Sequence, residues 1–279
     1  MPFEPFLRWA GGKTWLVPHL DEIIGNTEIN HYHEPFLGGG AIFFNIEHQR
    51  RAYLSDENAE LINAYICVRD NPEGLIEIIQ NYENSEENYY VVRGMAPEEN
   101  ISRAARFIFL NQTSYNGLYR VNRQGHYNVP YGNRLFWRFD AEKIREASQR
   151  LRNTNIRPCD FEGNKYIIKR HDLIFLDPPY TVSHNNNGFI KYNRNLFSLD
   201  DQHRLSRFID YIKRKDAYYI LTNAAHQTIA EIFEKGDRRL ELQRASLIGG
   251  RNARREPVTE YVFTNLPGVG INDVENEMG

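Results

Sequence analysis

Cysteine is nearly missing from this chain. The two present, Cys67 and Cys159, lie far apart and form no Cys-x-x-Cys pair. That spacing argues against a disulfide framework and a structural zinc site, so both thiols are expected to be reduced. No run approaches the roughly 20 apolar residues that a membrane-spanning helix needs, and the N-terminus carries no signal-peptide pattern. The expectation is a soluble, cytoplasmic protein with no membrane partner. Excess positive charge is lacking too: 34 Lys and Arg stand against 37 Asp and Glu, a formal net charge of -3, so total charge does not advertise a polyanionic partner. There is no internal repeat and no low-complexity tract. At 279 residues, one large domain or one domain with a sizeable insertion can bury a substantial core.

What the total conceals, the distribution displays. From Asn111 to Phe139 there is no Asp or Glu, but Arg120, Arg123, Arg134 and Arg138 are interleaved with Tyr115, Tyr119, Tyr127, Tyr131, Phe136 and Trp137. A basic, aromatic segment suits phosphates and bases. A second acid-free stretch, Leu242 to Arg255, holds Arg244, Arg251, Arg254 and Arg255, while acids gather at Glu83 to Glu87, at Glu98 and Glu99, and in the tail 271–279. One basic face is the reading; solvated surface arginines are the alternative.

The apolar run His31 to Leu37 stops at Gly38-Gly39-Gly40 before Ala41 to Ile46, which reads as strand, tight turn, helix. A short strand follows at Ala52 to Ser55, ending on Asp56, and Asn58 to Val68 has helical spacing. Together they make a β-α-β unit with an acid at the second strand's end. The stretch that follows, as far as about Asn153, breaks this rhythm and reads as an insertion. Strands resume at Asp172 to Leu176, Ala217 to Thr222 and Thr259 to Thr264. Asp200 to Lys213 is a crossover helix, with Leu205, Phe208, Ile209 and Ile212 on one face. The fold class is α/β: a doubly wound, Rossmann-like sheet interrupted by a mainly helical module.

Asp177-Pro178-Pro179-Tyr180 follows the strand ending at Leu176, where open α/β sheets place their ligands. Consecutive prolines fix the backbone and donate no hydrogen bonds, so local carbonyls act as acceptors; Asp177 adds a carboxylate and Tyr180 a flat face. The array suits a planar ring bearing an NH2 group, and a plain rigid turn is the bland alternative. The glycine turn with Phe36 and Gly38 lets a cofactor approach the backbone, and Asp56 lies where an acid reaches ribose hydroxyls, which fits a dinucleotide as well as S-adenosylmethionine. Gly11-Gly12-Lys13-Thr14 tempts a phosphate-loop reading, but that motif's first glycine would fall at Leu7. Trp9 and Lys13 are better read as stacking and charge contacts to a small cofactor. His31 and His33 alternate on a strand with Glu34 facing the other way, so joint metal ligation is poor and no metal is expected.

Assembled, these motifs resemble the Dam family of DNA adenine-N6 methyltransferases, the α group or D12 class. The resemblance is carried by Phe6-Leu7-Arg8-Trp9-Ala10-Gly11-Gly12-Lys13, Glu34-Pro35-Phe36-Leu37-Gly38-Gly39-Gly40, Asp56-Glu57-Asn58 and Asp177 to Tyr180. It implies a catalytic S-adenosylmethionine-binding domain from 1–58 and 154–270, a DNA target-recognition domain over 59–153 and an acidic tail. It further implies cofactor contacts at Trp9, Lys13, Glu34, Phe36, Gly38, Asp56, Asp160 and Asp177. In the insertion, Tyr115-Asn116-Gly117-Leu118-Tyr119-Arg120-Val121-Asn122 and Gly125 to Gly132 resemble a DNA-reading hairpin. There Tyr115 would wedge into the duplex, Asn116 would meet the orphaned strand and Arg120 would read a guanine, as bidentate arginines do. Leu118, Asn122, Arg134 and Arg251 complete the implied DNA contacts. The implied partner is double-stranded DNA at a site beginning GA, GATC first, with methyl transfer to a flipped adenine; no obligate protein partner is implied. One departure stands out: Ile248 to Glu256 lacks the family's Ser-Asn-Gly, which leaves the loop near the target base open.

Overall fold

The computed structural model describes residues 2–46, 51–122, 124–134, 137–180, 197–245 and 257–268. Arg123, Phe136, Arg251 with the stretch 248–256, and the acidic tail 271–279 lie outside the described residues. Among the described residues seven strands form one sheet: β1 (Tyr32–Glu34), β2 (Ala52–Asp56), β3 (Thr154–Pro158), β4 (Leu173–Leu176), β5 (Tyr218–Ala224), β6 (Arg238–Ala245) and β7 (Pro257–Thr264). Their order is β3-β2-β1-β4-β5-β7-β6. β4 runs parallel to β1 and β5, whereas β7 is antiparallel to both β5 and β6. With its flanking helices this is the Rossmann-like α/β architecture expected from the sequence. All four residues of β4 are buried, as a parallel strand covered on both faces requires.

Two compact units divide the chain. One comprises 18–36, 48–53 and 162–279. It holds α1 (Leu20–Ile24), α7 (Leu199–Arg214) and α8 (Gln227–Phe233). α7 begins in a capping box, Ser198 accepting from the Asp201 amide while the Asp201 carboxylate accepts from the Ser198 amide. Leu205, Phe208, Ile209 and Ile212 are buried along one side of α7, the face that the crossover-helix spacing predicts.

The other unit comprises 1–17, 37–47 and 54–161. Its helices are α2 (Ala59–Asp70), α3 (Pro72–Gln80), α4 (Glu86–Gly94), α5 (Asn100–Thr113) and α6 (Ala141–Leu151). Asn58 caps α2 by accepting from the Glu60 and Leu61 amides, and Pro72 opens α3 at a position where no amide partner is needed. The helix expected over Ala41 to Ile46 shrinks to one 3-10 turn, Phe43–Asn45, after which Ile46 turns extended. Asn45 explains the arrest: its side chain accepts from the Phe3 amide and donates to the Phe3 and Ala41 carbonyls.

A second correction concerns the basic aromatic segment. Part of it is turned inward: Tyr127 and Val129 are buried with Tyr89, Val92, Phe109 and Leu110, and the half-buried Leu118, Tyr119, Tyr131 and Trp137 pack against them. Tyr89 donates to the Val129 carbonyl at 2.8 Å, which ties α4 to this layer. Phe109 lies at the centre, 5.1 Å from the Tyr82 ring and 6.1 Å from Trp137. Phe109→Ala is therefore expected to lower the unfolding free energy by about 3–5 kcal/mol. Urea denaturation checks this, and an unshifted midpoint would contradict the packing.

Candidate active site

In a sheet of this order the direction of winding reverses between β1 and β4, and such a switch point leaves a crevice beyond the carboxyl ends of the two strands. The register Tyr32↔Leu173 and His33↔Ile174 sets those ends side by side. β1 ends on Glu34, which is 2% exposed and accepts from the Tyr32 hydroxyl at 2.7 Å. Burial, reinforced by the Glu34 charge, pushes the Tyr32 phenol well above its ordinary value. Phe36, just beyond, meets Phe197 edge to face with centroids 5.8 Å apart.

β4 ends on Leu176 and delivers Asp177-Pro178-Pro179-Tyr180. The Thr222 hydroxyl, from buried β5, donates to Asp177 Oδ1 at 2.9 Å and fixes the plane of that carboxylate. Pro178 is buried, whereas Asp177, Pro179 and Tyr180 keep part of their surface. The Tyr180 hydroxyl donates to Glu260 Oε2, and Glu260 Oε1 accepts from Arg244 Nε. Glu260 itself is 1% exposed. Burial first, then the charge of Glu260, holds the Tyr180 phenol well above its usual range, so it stays a donor.

In the other unit, the glycine turn is built around Asp56. Asp56 Oδ2 accepts from the Gly38 amide and Oδ1 from the Asn58 amide, both at 3.0 Å. The Tyr65 hydroxyl donates to the Gly38 carbonyl at 3.1 Å. Gly38 has φ +47°, and a Cβ there would stand 2.7 Å from Trp9 Cδ1, so this position requires glycine on two counts. Burial raises the Asp56 carboxyl above its ordinary value, against the pull of the Asn58, Gly38 and Glu57 amides. The Trp9 indole stacks on Tyr119, centroids 6.1 Å apart and planes at 21°. Lys13 is buried and donates from Nζ to the Gly11 carbonyl at 2.7 Å. After β3 the Cys159 amide donates to the Asp56 carbonyl at 3.1 Å, which holds Asp160 near that strand end.

The hairpin lies in this same unit. α5 ends at Thr113, and Tyr115 follows with 53% of its surface exposed. Asn116 takes the left-handed conformation, φ 55°. The Asn111 side chain accepts from the Arg8 amide and donates to the Arg8 carbonyl, at 2.8 and 2.7 Å, and so fastens the N-terminal motif to α5. Arg120 donates from Nε to Asn128 Oδ1 at 2.7 Å, across a ladder closed by Val121 and Tyr127. Asn122 Oδ1 accepts from the Gln124 and His126 amides and shapes the hairpin tip. Leu118 packs on the aromatic cluster. Arg134 donates to the Gln112 carbonyl at 3.0 Å. Burial, with the neighbouring Arg134 charge adding to it, lowers the Arg8 guanidinium from its ordinary value.

His33 does not join His31 in a ligand set; its Nε2 pairs with the fully buried Asp172 at 2.8 Å. Among the described residues no group of three or more His, Cys, Asp or Glu side chains could hold a metal ion, and no described helix is long and apolar enough to cross a membrane. Sequence reasoning overlooked Thr222, Glu260, Asn111 and Asn128. For Glu260 a signal existed: it interrupts the alternation of Val258, Val262 and Thr264 on one face of a strand, and a carboxylate in such a place must have partners.

With this geometry in place, comparison with known proteins gives a concordant picture. The family model described as D12 class N6 adenine-specific DNA methyltransferase matches residues 9–246. The "Type II methyltransferase M1.LlaDCHI" of Lactococcus lactis subsp. cremoris is 34% identical over 274 residues, covering 94% of this chain and 95% of its own. The "Type II methyltransferase M.MjaIII" of Methanocaldococcus jannaschii is 34% identical, over 80% of this chain and 85% of its own. A "DNA adenine methylase" of Haemophilus influenzae is 30% identical, over 93% and 92%.

Proposed function

The chain belongs to the D12 class N6 adenine-specific DNA methyltransferases, and from that premise we propose that it moves a methyl group from S-adenosylmethionine to N6 of a flipped adenine in duplex DNA. GATC is the first choice of site, with other sites beginning GA as the alternative. The reading rests chiefly on one observation: Asp177, oriented by Thr222, opens a run of backbone acceptors at the switch point of the sheet.

The lone pair of an adenine amine is delocalised into the ring, so the amine is a poor nucleophile. Asp177 and the Pro178 carbonyl accept its two N–H bonds, favour a pyramidal nitrogen and hold its lone pair in line for transfer; the methylated nitrogen then gives up one of those protons through its acceptor to solvent and is left neutral. Because Thr222 already fixes the carboxylate, little reorganisation is left for the reaction step. Tyr180 stacks on the base, and Pro179 keeps the segment rigid. Bound S-adenosylmethionine supplies an electrophilic methyl group. The residues present fit that molecule: Asp56 is a partly buried carboxylate with both oxygens already aligned by amides, suited to ribose hydroxyls, and the turn at Gly38 lets the backbone come close. Trp9 and Phe36 offer flat faces, and Lys13, Glu34, Asp160 and Asp177 complete the set.

On the DNA side, Tyr115 is the wedge, exposed and carried at the end of a well-packed helix, and Asn116 contacts the strand left without its partner. Extracting the base costs a few kcal/mol of unstacking. Arg120 reads a guanine with a guanidinium already oriented by Asn128. Leu118, Asn122, Arg134 and Arg251 add contacts to the duplex. A DNA substrate and DNA methylases among the bacterial relatives support a cytoplasmic location, beside the DNA.

Asp177→Ala is expected to cut methylation of GATC-containing duplex by about 100-fold or more while leaving melting behaviour unchanged. Labelled S-adenosylmethionine and a thermal melt measure both, and near-normal labelling would sink the mechanism. Arg120→Ala should relax discrimination at one guanine by about 1–3 kcal/mol. Relative rates on duplexes substituted at that position report it, and an unchanged preference would refute the role.

A further inference from the structure

Two strands behind the tetrapeptide each send one polar side chain to it. From β5, Thr222 holds Asp177. From β7, Glu260 accepts from the Tyr180 hydroxyl with one oxygen and from Arg244 with the other. The strands are neighbours, with Thr222↔Val262 and Ala224↔Glu260 in register. Across the β6–β7 ladder Arg244 stands opposite Val258 and Leu242 opposite Glu260. Arg244 and Glu260 are thus diagonal neighbours on one face of the sheet. We propose that Glu260 is a positioning residue for methyl transfer: it fixes where the Tyr180 ring lies against the target base, and Arg244 holds the Glu260 carboxylate in place. This inference rests on the reading of Asp177 to Tyr180 given above.

Stability alone is a poor reason for such an arrangement. Replacing a buried ion pair with apolar groups of similar volume is often neutral or favourable, so a buried carboxylate is weak evidence of a stability role. Glu260 is 1% exposed and the side chain of Arg244 17% exposed, so the pair carries a real desolvation cost. Tyr180, in contrast, keeps part of its surface while its hydroxyl is directed inward onto Glu260. A ring tethered at its para hydroxyl has lost the freedom to swing about the Cα–Cβ bond, and the preference of a phenol O–H for the ring plane also biases its rotation about Cβ–Cγ. A platform held by rigid strands is more accurate than one resting on a loop.

The test is a double-mutant cycle of Tyr180→Phe and Glu260→Gln. The first removes only the hydroxyl, and the second keeps volume but cannot accept from both donors. Each is expected to lower kcat by about 10- to 100-fold, because a small misplacement at the reacting centre costs that much. The double variant should fall no further than the worse single variant, since both break one linkage. Binding of S-adenosylmethionine, followed by calorimetry, should stay within about twofold of the parent. Fluorescence of a 2-aminopurine at the target position should report altered stacking in all three variants. Rates near the parent in both single variants, losses that multiply in the double, or cofactor binding that falls in step with kcat would overturn the inference. If Glu260→Gln does not fold, Tyr180→Phe alone decides, through its kcat and the fluorescence. Tyr180→Ala separates the two levels: an inactive Tyr180→Ala beside a normal Tyr180→Phe and Glu260→Gln refutes the tether and leaves the tetrapeptide's role standing, whereas a fully active Tyr180→Ala refutes both.

Discussion

The parallel pairing of β1 with β4 is the constraint on which the site depends. Asp172, fully buried just before β4, accepts from the His31 and Lys169 amides and pairs with His33, so one carboxylate pins the starts of both strands. The Leu173 amide then reaches the His31 carbonyl at 2.8 Å. Slipping this pairing by one residue would turn every side chain to the other face, and the buried run Leu173 to Leu176 leaves no polar face to receive it. With the register fixed, the strands end together, and Glu34-Pro35-Phe36 and Asp177 to Tyr180 emerge side by side.

Beyond the strand ends, orientation is assigned to polar residues that do no chemistry themselves. Thr222 sets Asp177, Glu260 sets Tyr180, Asn128 sets Arg120, and Asn111 clasps the backbone of Arg8. The same logic governs Asp56, whose two oxygens tie the glycine turn to the start of α2. Trp9 connects the turn to the hairpin, since its indole crowds Gly38 on one side and stacks on Tyr119 on the other. In this unit the turn that suits a cofactor and the hairpin that suits DNA therefore share one aromatic contact.

Much of this was legible in the sequence because it depended on local signals. The apolar run before Asp177 marked β4, Asn58 marked the start of α2, and the single-faced apolar spacing from Leu205 to Ile212 marked α7. The failures came from context. Ala41 to Ile46 has helical composition, but Asn45 reaches back to Phe3, a partner far away in sequence. The edge strand Arg238 to Ala245 alternates weakly and is rich in charge, as exposed edges are, and only its last residues, Leu242 to Ala245, fall in a stretch noticed for its arginines. Tyr127 looked like part of a surface for bases, yet it joins the buried cluster of the helical module, and Tyr119, Tyr131 and Trp137 pack half-buried against it. Glu260 was visible as a carboxylate in an apolar strand, but its partner Tyr180 could be found only in three dimensions.

The switch-point tetrapeptide is proposed to hold adenine from duplex DNA for methylation at N6. The most direct measurement is to incubate the purified enzyme and S-adenosylmethionine with unmethylated genomic DNA and map every modified base by sequencing, with mass spectrometry of the nucleosides alongside. N6-methyladenine confined to one short site beginning GA is the expected product. Methyl groups on cytosine, or adenine methylation without a shared sequence, would contradict it.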